Sequence, residues 1–349
     1  MRRYLPCLLA LGLWMVSCVR DVEIELDDLP DRIVLNASVS PGKEVRAHLS
    51  KTWFVLDSVP DFDLPGARVS VYVDDRFQGV MCADDQPGDS IHPKGQYVLP
   101  GCFVRQGDRL RLEAEADGYE PVSAETRIPG RARIDGVDTL SYRSSAYYTE
   151  HLRLSVKMNY EIDAYYRLIV EQVMEYRKGD STRTVTSFTS LGGYQWYYSG
   201  FSVDYEDPVF QSFGGSPITN QMDGRYCMGV FSGKDMVNTK AVKVSVFPVE
   251  YSYESDSLSR VVHYDVRLLS ISEDYYRYMK IMRGYSITIG DANFGALIEP
   301  ADAYSNVDNG FGIVAGYQED KRRVTMPRDT VPPTWNPWDS PGWGFSPSL

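Results

Sequence analysis

The sequence has few of the residues that mark common catalytic and metal sites. It holds four histidines and five cysteines in 349 residues, without a Cys-x-x-Cys pair, a His-Glu-x-x-His motif or a Gly-x-Ser-x-Gly turn. A cysteine-based zinc or redox site, a zincin and an α/β-hydrolase are therefore disfavoured. The formal net charge is −12, and binding to a nucleic-acid backbone needs clustered Lys and Arg. We therefore expect no nucleic-acid partner.

The sequence also lacks an apolar run of about 20 residues, which a bilayer-spanning helix needs. The shorter apolar run at residues 5–16 follows Arg2-Arg3, a pattern typical of a signal peptide. The run ends in Met15-Val16-Ser17-Cys18, which resembles a bacterial lipobox, in which the cysteine is acylated and becomes the first residue after cleavage. We expect residues 1–17 to be removed and the lipid on Cys18 to hold the chain to a membrane. An ordinary secretory signal with a chance cysteine is the alternative.

The segment after the lipidation site is acidic. Most of residues 18–30 are acidic or apolar, and the acidic ones include Asp27-Asp28. We interpret them as a flexible tether. Acidic residues directly behind a lipid-bearing cysteine also resemble the surface-export signal of Bacteroidota lipoproteins. The expected location is therefore the outer membrane, at the cell surface or in the periplasmic leaflet.

Besides Cys18, three cysteines remain in the mature chain. Cys82 and Cys102 flank a turn-rich stretch with strand-like residues on both sides. An exported chain meets an oxidising compartment, so a disulfide between them is one alternative and two unpaired thiols are the other. Cys227 is then expected to be a buried apolar residue.

Alternation of apolar and polar residues is the dominant pattern. In residues 68–73 every second residue is valine, and the residues between them are Arg, Ser and Tyr. Similar alternation recurs in residues 109–116, 152–158, 242–246 and 262–268. Strands with one apolar and one polar face are typical of antiparallel sheets, so the predicted fold class is mostly β.

The strands divide into two groups. Residues 31–128 resemble the immunoglobulin-like and carboxypeptidase-regulatory-like β-sandwich modules of exported bacterial proteins. Pro129-Gly130-Arg131 is the expected joint, and residues 134–325 are expected to form a larger antiparallel β domain with one short helix. Ser272 is the predicted N-cap of that helix, and strand period is expected to return in residues 285–289.

Two aromatic segments are candidate binding elements. The first lies between glycines and could stack on sugar rings or fill peptide pockets, or pack in the core with one ring exposed; it comprises Tyr194, Trp196, Tyr197 and Tyr198. The second is the Pro- and Trp-rich tail, residues 326–349, which is either a docking peptide for a partner or a strap along the protein's own surface. Its tryptophans are Trp335, Trp338 and Trp343.

The histidines and glycines suggest no cofactor and no metal site. His48, His151 and His263 are expected to face solvent from strands, and His92 lies in a Pro-Gly loop. The glycines of residues 310–316 have nearly the spacing of a dinucleotide-binding loop, but it is one residue too long and no helix follows. We expect these glycines to let a neighbouring ring or backbone approach a strand closely.

These features together resemble a known family. The lipobox, the Gly-Ala-x-Val strand at Gly66, the Ser-x-x-Tyr-Tyr helix from Ser272 and the Gly-Phe-Gly-Ile strand after Ser305 are similar to the Bacteroidota outer-membrane lipoproteins of the domain of unknown function four-two-four-nine. The resemblance spans residues 18 to about 320. It implies an accessory role beside a TonB-dependent β-barrel receptor and brings no catalytic residues.

The sequence therefore predicts a lipid-anchored surface protein that is not an enzyme and assists such a receptor. A glycan- or peptide-binding surface lipoprotein that works alone is the alternative. A hydrolase is the third hypothesis. The residues of a Ser-His-Asp triad can lie far apart in a sequence, so the lack of a local motif does not exclude one.

Overall fold

The computed structural model describes residues 31–52, 63–84, 95–143, 150–178, 181–187, 202–205, 207–210, 229–247, 259–290 and 304–326. They form mostly antiparallel sheets with sandwich-like packing and one α-helix, which confirms the predicted fold class. No helix within these ranges has the length and apolarity that crossing a membrane requires.

The N-terminal sandwich contains the first strands along the chain. They are β1 (Ile33–Val39), β2 (Glu44–Lys51), β3 (Arg68–Val73), β4 (Arg76–Val80), β5 (Cys82–Ala83), β6 (Gln96–Phe103), β7 (Arg109–Glu115) and β8 (Val122–Arg127). One sheet has the order β1-β2-β6-β5, and the other has the order β8-β7-β3-β4. The apolar residues of the alternating strands face each other between these sheets, as Val69, Val71, Leu110 and Leu112 do. Burial of such side chains contributes about 2 kcal/mol each.

The remaining strands follow along the chain, and all of them except one belong to the C-terminal sandwich. They are β9 (Arg133–Arg143), β10 (Glu150–Asn159), β11 (Tyr165–Lys178), β12 (Ser181–Ser187), β13 (Ser202–Asp204), β14 (Val230–Ser232), β15 (Val242–Phe247), β16 (Ser259–Ile271), β17 (Val307–Asp308) and β18 (Val314–Thr325). The exception is β17, which pairs with β8. The order in one sheet is β13-β15-β10-β9, and the facing strands have the order β12-β11-β16-β18. A second core lies between them, with Leu154, Val244 and Val266 fully buried.

Strand β18 joins the two sandwiches. Its first residues pair in parallel with Ala37–Val39 of β1, and its later residues pair antiparallel with β16. One sheet therefore continues from β12 through β18 and β1 to β5. The expected boundaries assign Val307 and Val314 to the second unit, whereas their side chains pack in the first core. They do so because β17 pairs with β8 and β18 pairs with β1.

The helix α1 (Glu273–Gly290) covers part of the outer face of the long sheet. Its first turn is capped as expected, because the Ser272 hydroxyl accepts a hydrogen bond from the Tyr275 amide at 3.4 Å. Tyr276 and Met279 pack on the strands below. The expected return to a strand in residues 285–289 is wrong, since the helix continues to Gly290. Each residue added to an existing helix gains a backbone hydrogen bond, and this outweighs a short alternating pattern.

The glycines before β18 allow the close approach that the sequence predicts. On one side of Gly312, Phe311 donates a backbone hydrogen bond to Ile33 and accepts one from Leu35. On the other side, the Ile313 carbonyl accepts a hydrogen bond from the Ala37 amide. A side chain at Gly312 would overlap the backbone of Leu35, and one at Gly310 would lie 2.5 Å from the Ile33 carbonyl oxygen. The prediction of a close backbone contact is therefore confirmed, and the contact is with β1.

Candidate functional site

Most of the site residues predicted from the sequence lie outside the described residues. They are Cys18, Tyr194, Trp196, Tyr197, Tyr198, Trp335, Trp338 and Trp343. Cys227 lies outside them as well. Their roles stay predictions.

Cys82 and Cys102 are described, and both are free thiols in the structure. Cys82 lies opposite Val98 in the β5–β6 pair. Cys102 lies further along β6, in the irregular stretch between Leu99 and Phe103 where the register with β2 shifts. The register thus gives Cys82 a partner other than Cys102, and the structure has the second of the two alternatives, two unpaired thiols. Burial raises the pKa of the Cys102 thiol above its ordinary value.

The outer face of the long sheet carries a charged ladder, which we define as Glu171, Asp265, Arg267, Glu319, Lys321 and Arg323. The Arg267 guanidinium donates to both carboxylate oxygens of Glu319, at 2.7 and 2.9 Å, and to Glu171 at 2.5 Å. Arg323 donates to both oxygens of Asp265, at 2.6 and 2.8 Å, and the Lys321 ammonium lies 2.8 Å from Asp265. The ladder links β11, β16 and β18 side by side.

Two carboxylates of the charged ladder are buried. The side chain of Asp265 is 2% exposed and that of Glu171 is 8% exposed. The hydrogen bonds from Arg323 hold the pKa of Asp265 at about 2, burial opposes them, and Lys321 adds to the lowering. The Arg267 hydrogen bonds likewise lower the pKa of Glu319. Since these charges are paired with one another, the ladder acts to hold strands together and to fix β18 in place.

The pKa of Asp265 predicts how stability depends on pH. Because its pKa in the folded state lies below the ordinary value, the carboxylate stabilises the fold at neutral pH, and this contribution of about 2 kcal/mol is lost as the pH falls from about 4 to about 2. Urea unfolding across this range measures it. In the Asp265→Asn variant the free energy of unfolding should fall less steeply with falling pH than in the unsubstituted chain. Asp138→Asn, whose partner Lys157 is exposed, should not change this pH dependence. Equal declines in Asp265→Asn and the unsubstituted chain would contradict the assignment.

The expectation that His48 and His263 face solvent is wrong. His48 is half-buried, and its Nε2 lies 3.0 Å from Asp63 Oδ1. His263 is buried on the outer face of β16, with Nδ1 at 2.9 Å from Thr325 Oγ1 and Nε2 at 3.5 Å from Glu175. Partners from neighbouring strands and loops cover both rings, which alternation along one strand does not reveal.

The Thr325 hydroxyl, the His263 imidazole and the Glu175 carboxylate follow one another in the order of a nucleophilic triad. Here the three groups stand on three adjacent strands, β18, β16 and β11, in the row next to the charged ladder. We interpret them as one more cross-strand link. Within the described ranges, no group of three or more His, Cys, Asp or Glu side chains is placed to hold a metal ion.

An exposed surface lies at the edge of the N-terminal sandwich. We define the β4 surface as Tyr72, Arg76, Phe77, Val80 and Arg111. Tyr72, Phe77 and Arg111 stand opposite one another on three adjacent strands. The rings of Tyr72 and Phe77 lie 5.5 Å apart, and the Arg111 guanidinium lies 4.2 Å from the Tyr72 ring centre. Phe77 is 56% exposed, so apolar area stays open to solvent there.

The alternation in residues 68–73 correctly predicts that Tyr72 points outward, but the sequence analysis missed this surface. The available signal is the turn Asp74-Asp75, where both residues have positive φ, at 49° and 61°. A two-residue turn of this kind fixes the register of a hairpin. It therefore places Phe77, the second residue after the turn, across from Tyr72.

The fold and these surfaces define a class of protein: two β-sandwiches that share one sheet, with a paired charged ladder on its outer face. The chain belongs to the family described as Domain of unknown function (DUF4249), whose model matches residues 19–323. This confirms the resemblance to the domain of unknown function, while the lipoprotein and outer-membrane features stay predictions. Membership assigns no activity, because the function of the family is unknown.

Other comparisons add no functional assignment. No curated protein matches the chain. A β-glucuronidase from Parabacteroides merdae is 8% identical with a TM-score of 0.21, and the match covers 68% of this chain and 23% of the enzyme. β-Glucuronidase 3 of Bacteroides uniformis is 10% identical with a TM-score of 0.19, and the match covers 67% of this chain and 23% of the enzyme. The three N-terminal domains of the bacteriophage RB49 outer capsid protein Hoc are 11% identical with a TM-score of 0.21, covering 69% of this chain and 63% of theirs. TM-scores this low carry no argument about fold or activity.

Proposed function

We propose that the protein is a lipid-anchored, non-enzymatic protein of the outer membrane that assists a TonB-dependent β-barrel receptor. The observation that carries this proposal is the sequence Met15-Val16-Ser17-Cys18 at the end of a short apolar run behind two arginines. A basic start, a run too short to span a bilayer and a cysteine after a small residue are together typical of a lipoprotein signal. Acyl chains on Cys18 would then hold the mature chain at the membrane.

The fold suits a protein held near a larger partner. The described residues begin at Asp31, and the 13 residues 18–30 before it could span at most about 45 Å if fully extended. A tether of that length keeps the sandwiches at high effective concentration around a neighbouring receptor. The continuous sheet through β18 and β1 joins both sandwiches, so a contact made by either one holds the whole chain.

A pull-down from native membranes tests the accessory role. The full chain, with a tag at its C-terminus, should recover a β-barrel protein from gently solubilised outer membranes. Cys18→Ser should lose that recovery because the chain is no longer held beside the barrel. Cys82→Ser is the matched control, because it replaces an exposed free cysteine and leaves Cys18 available for acylation. Recovery of no β-barrel by an acylated chain would contradict the accessory role and favour the protein that binds glycans or peptides alone.

A further inference from the structure

The open edge of strand β4 has the features of a strand-docking site. β4 is the last strand of its sheet among the residues that the structure describes. The next strand along the chain, β5, pairs with β6 in the opposite sheet. An edge strand presents unpaired backbone groups, and proteins usually protect such edges with charges, proline or a covering segment.

The backbone of Phe77 is oriented toward this open edge. Val73 and Arg76 close the two-residue hairpin, and Tyr72 and Phe77 form the next pair. In an antiparallel hairpin the closing pair exchanges hydrogen bonds and the next pair does not. The N–H and C=O of Phe77 therefore point away from β3, where an added strand could bond to them.

Two apolar side chains on this edge strand are open to solvent. Phe77 is 56% exposed and Val80 is 37% exposed, and both stand on the outer face of β4. Apolar side chains on an edge strand are what a partner strand buries when it adds to a sheet.

Charge indicates the chemistry of the partner. Arg76 is exposed on β4 and makes no ion pair with any part of the chain that the structure describes. Arg109 and Arg111, on the neighbouring row, are paired with Asp75 and Glu113. Among the described arginines of this surface, Arg76 is therefore the one that can pair with a carboxylate of the partner, and guanidinium–carboxylate pairing would set the register of the added strand.

We infer that β4 binds an extended peptide segment of another protein by strand addition, with an apolar side chain against Phe77 and an acidic side chain against Arg76. A glycan fits less well, because the rings of Tyr72 and Phe77 are tilted by 58° and do not form a flat platform. The inference depends neither on acylation of Cys18 nor on the receptor.

Selection of short random peptides displayed on phage, with the full chain as bait, tests the inference. The enriched peptides should alternate apolar and polar residues and carry an acidic residue. Their affinity should fall about tenfold or more in Phe77→Lys and in Arg76→Glu. Leu140→Lys is the matched control, since Leu140 is 57% exposed on β9, which ends another sheet, and this change should leave affinity intact.

Amide hydrogen exchange gives a second measurement, because a contact made by side chains alone would not change the exchange rate of a backbone N–H. Binding of a selected peptide should slow exchange at Phe77 by about tenfold or more, because its N–H gains a hydrogen bond. Equal affinity for Phe77→Lys with an unchanged melting temperature, or unchanged exchange at Phe77, would overturn the inference. So would failure to enrich any peptide, a Phe77-dependent signal on a glycan array, or a dimer of the chain that Phe77→Lys dissociates.

Discussion

Replacing Gly312 by alanine should lower the free energy of unfolding by about 3 kcal/mol or more. Gly312 has φ of +112°, a conformation that residues with a side chain rarely adopt. An added Cβ would also overlap the backbone of Leu35 in β1, which cannot move without breaking the hydrogen bond from its N–H to the Phe311 carbonyl. The substitution should therefore damage the junction between β1 and β18 and loosen both sandwiches.

Gly42→Ala is the matched control for this prediction. Gly42 also has a positive φ, at +79°, but nothing lies within 4 Å of the position that its Cβ would occupy. Its cost should be that of backbone strain alone, about 1 kcal/mol. Urea unfolding of both variants measures the difference. Equal costs would mean that the approach of β1 to Gly312 is not as close as the structure has it.

Replacing Arg267 by alanine should lower the free energy of unfolding by about 3–5 kcal/mol. The guanidinium is the shared partner of Glu171 and Glu319. Without it, the Glu171 carboxylate stays buried and unpaired, and a buried charge without a partner is strongly destabilising. Glu319 is more exposed and can be hydrated, so most of the loss should come from Glu171.

Arg277→Ala supplies the comparison for Arg267→Ala. Arg277 pairs with Glu273 one helical turn away on α1, and both side chains are about half exposed. Exposed pairs of this kind contribute about 0.5 kcal/mol. Adding Glu171→Leu to Arg267→Leu should recover much of the stability, because an apolar pair can replace a buried ion pair. Similar losses in Arg267→Ala and Arg277→Ala would show that the charged ladder is not buried as described.

Local features of the fold could be predicted from the sequence. Alternation assigned the inward valines of β3 and the outward Tyr72, because side chains along a strand alternate strictly between faces. Ser272 was identifiable as a helix cap from its own chemistry and that of the acids after it. The glycines before β18 indicated close backbone contact, since a Cβ is what such contact excludes.

Long-range features could not be predicted. The pairing of β1 with β18 joins residues from the two ends of the described fold, and alternation along either strand does not identify its partner. The same limit applies to the charged ladder. Asp265 and Arg267 are expected on a polar face, but their burial depends on residues that no local pattern identifies.

The measurement that tests the central claim most directly is the mass of the N-terminal peptide of the mature protein, purified from membranes. The account predicts a chain that begins at Cys18 with acyl groups on that residue, and no such product from Cys18→Ser. A mature chain that begins elsewhere, or that begins at Cys18 with an unmodified thiol, would contradict the lipid anchor and with it the proposed role at the outer membrane.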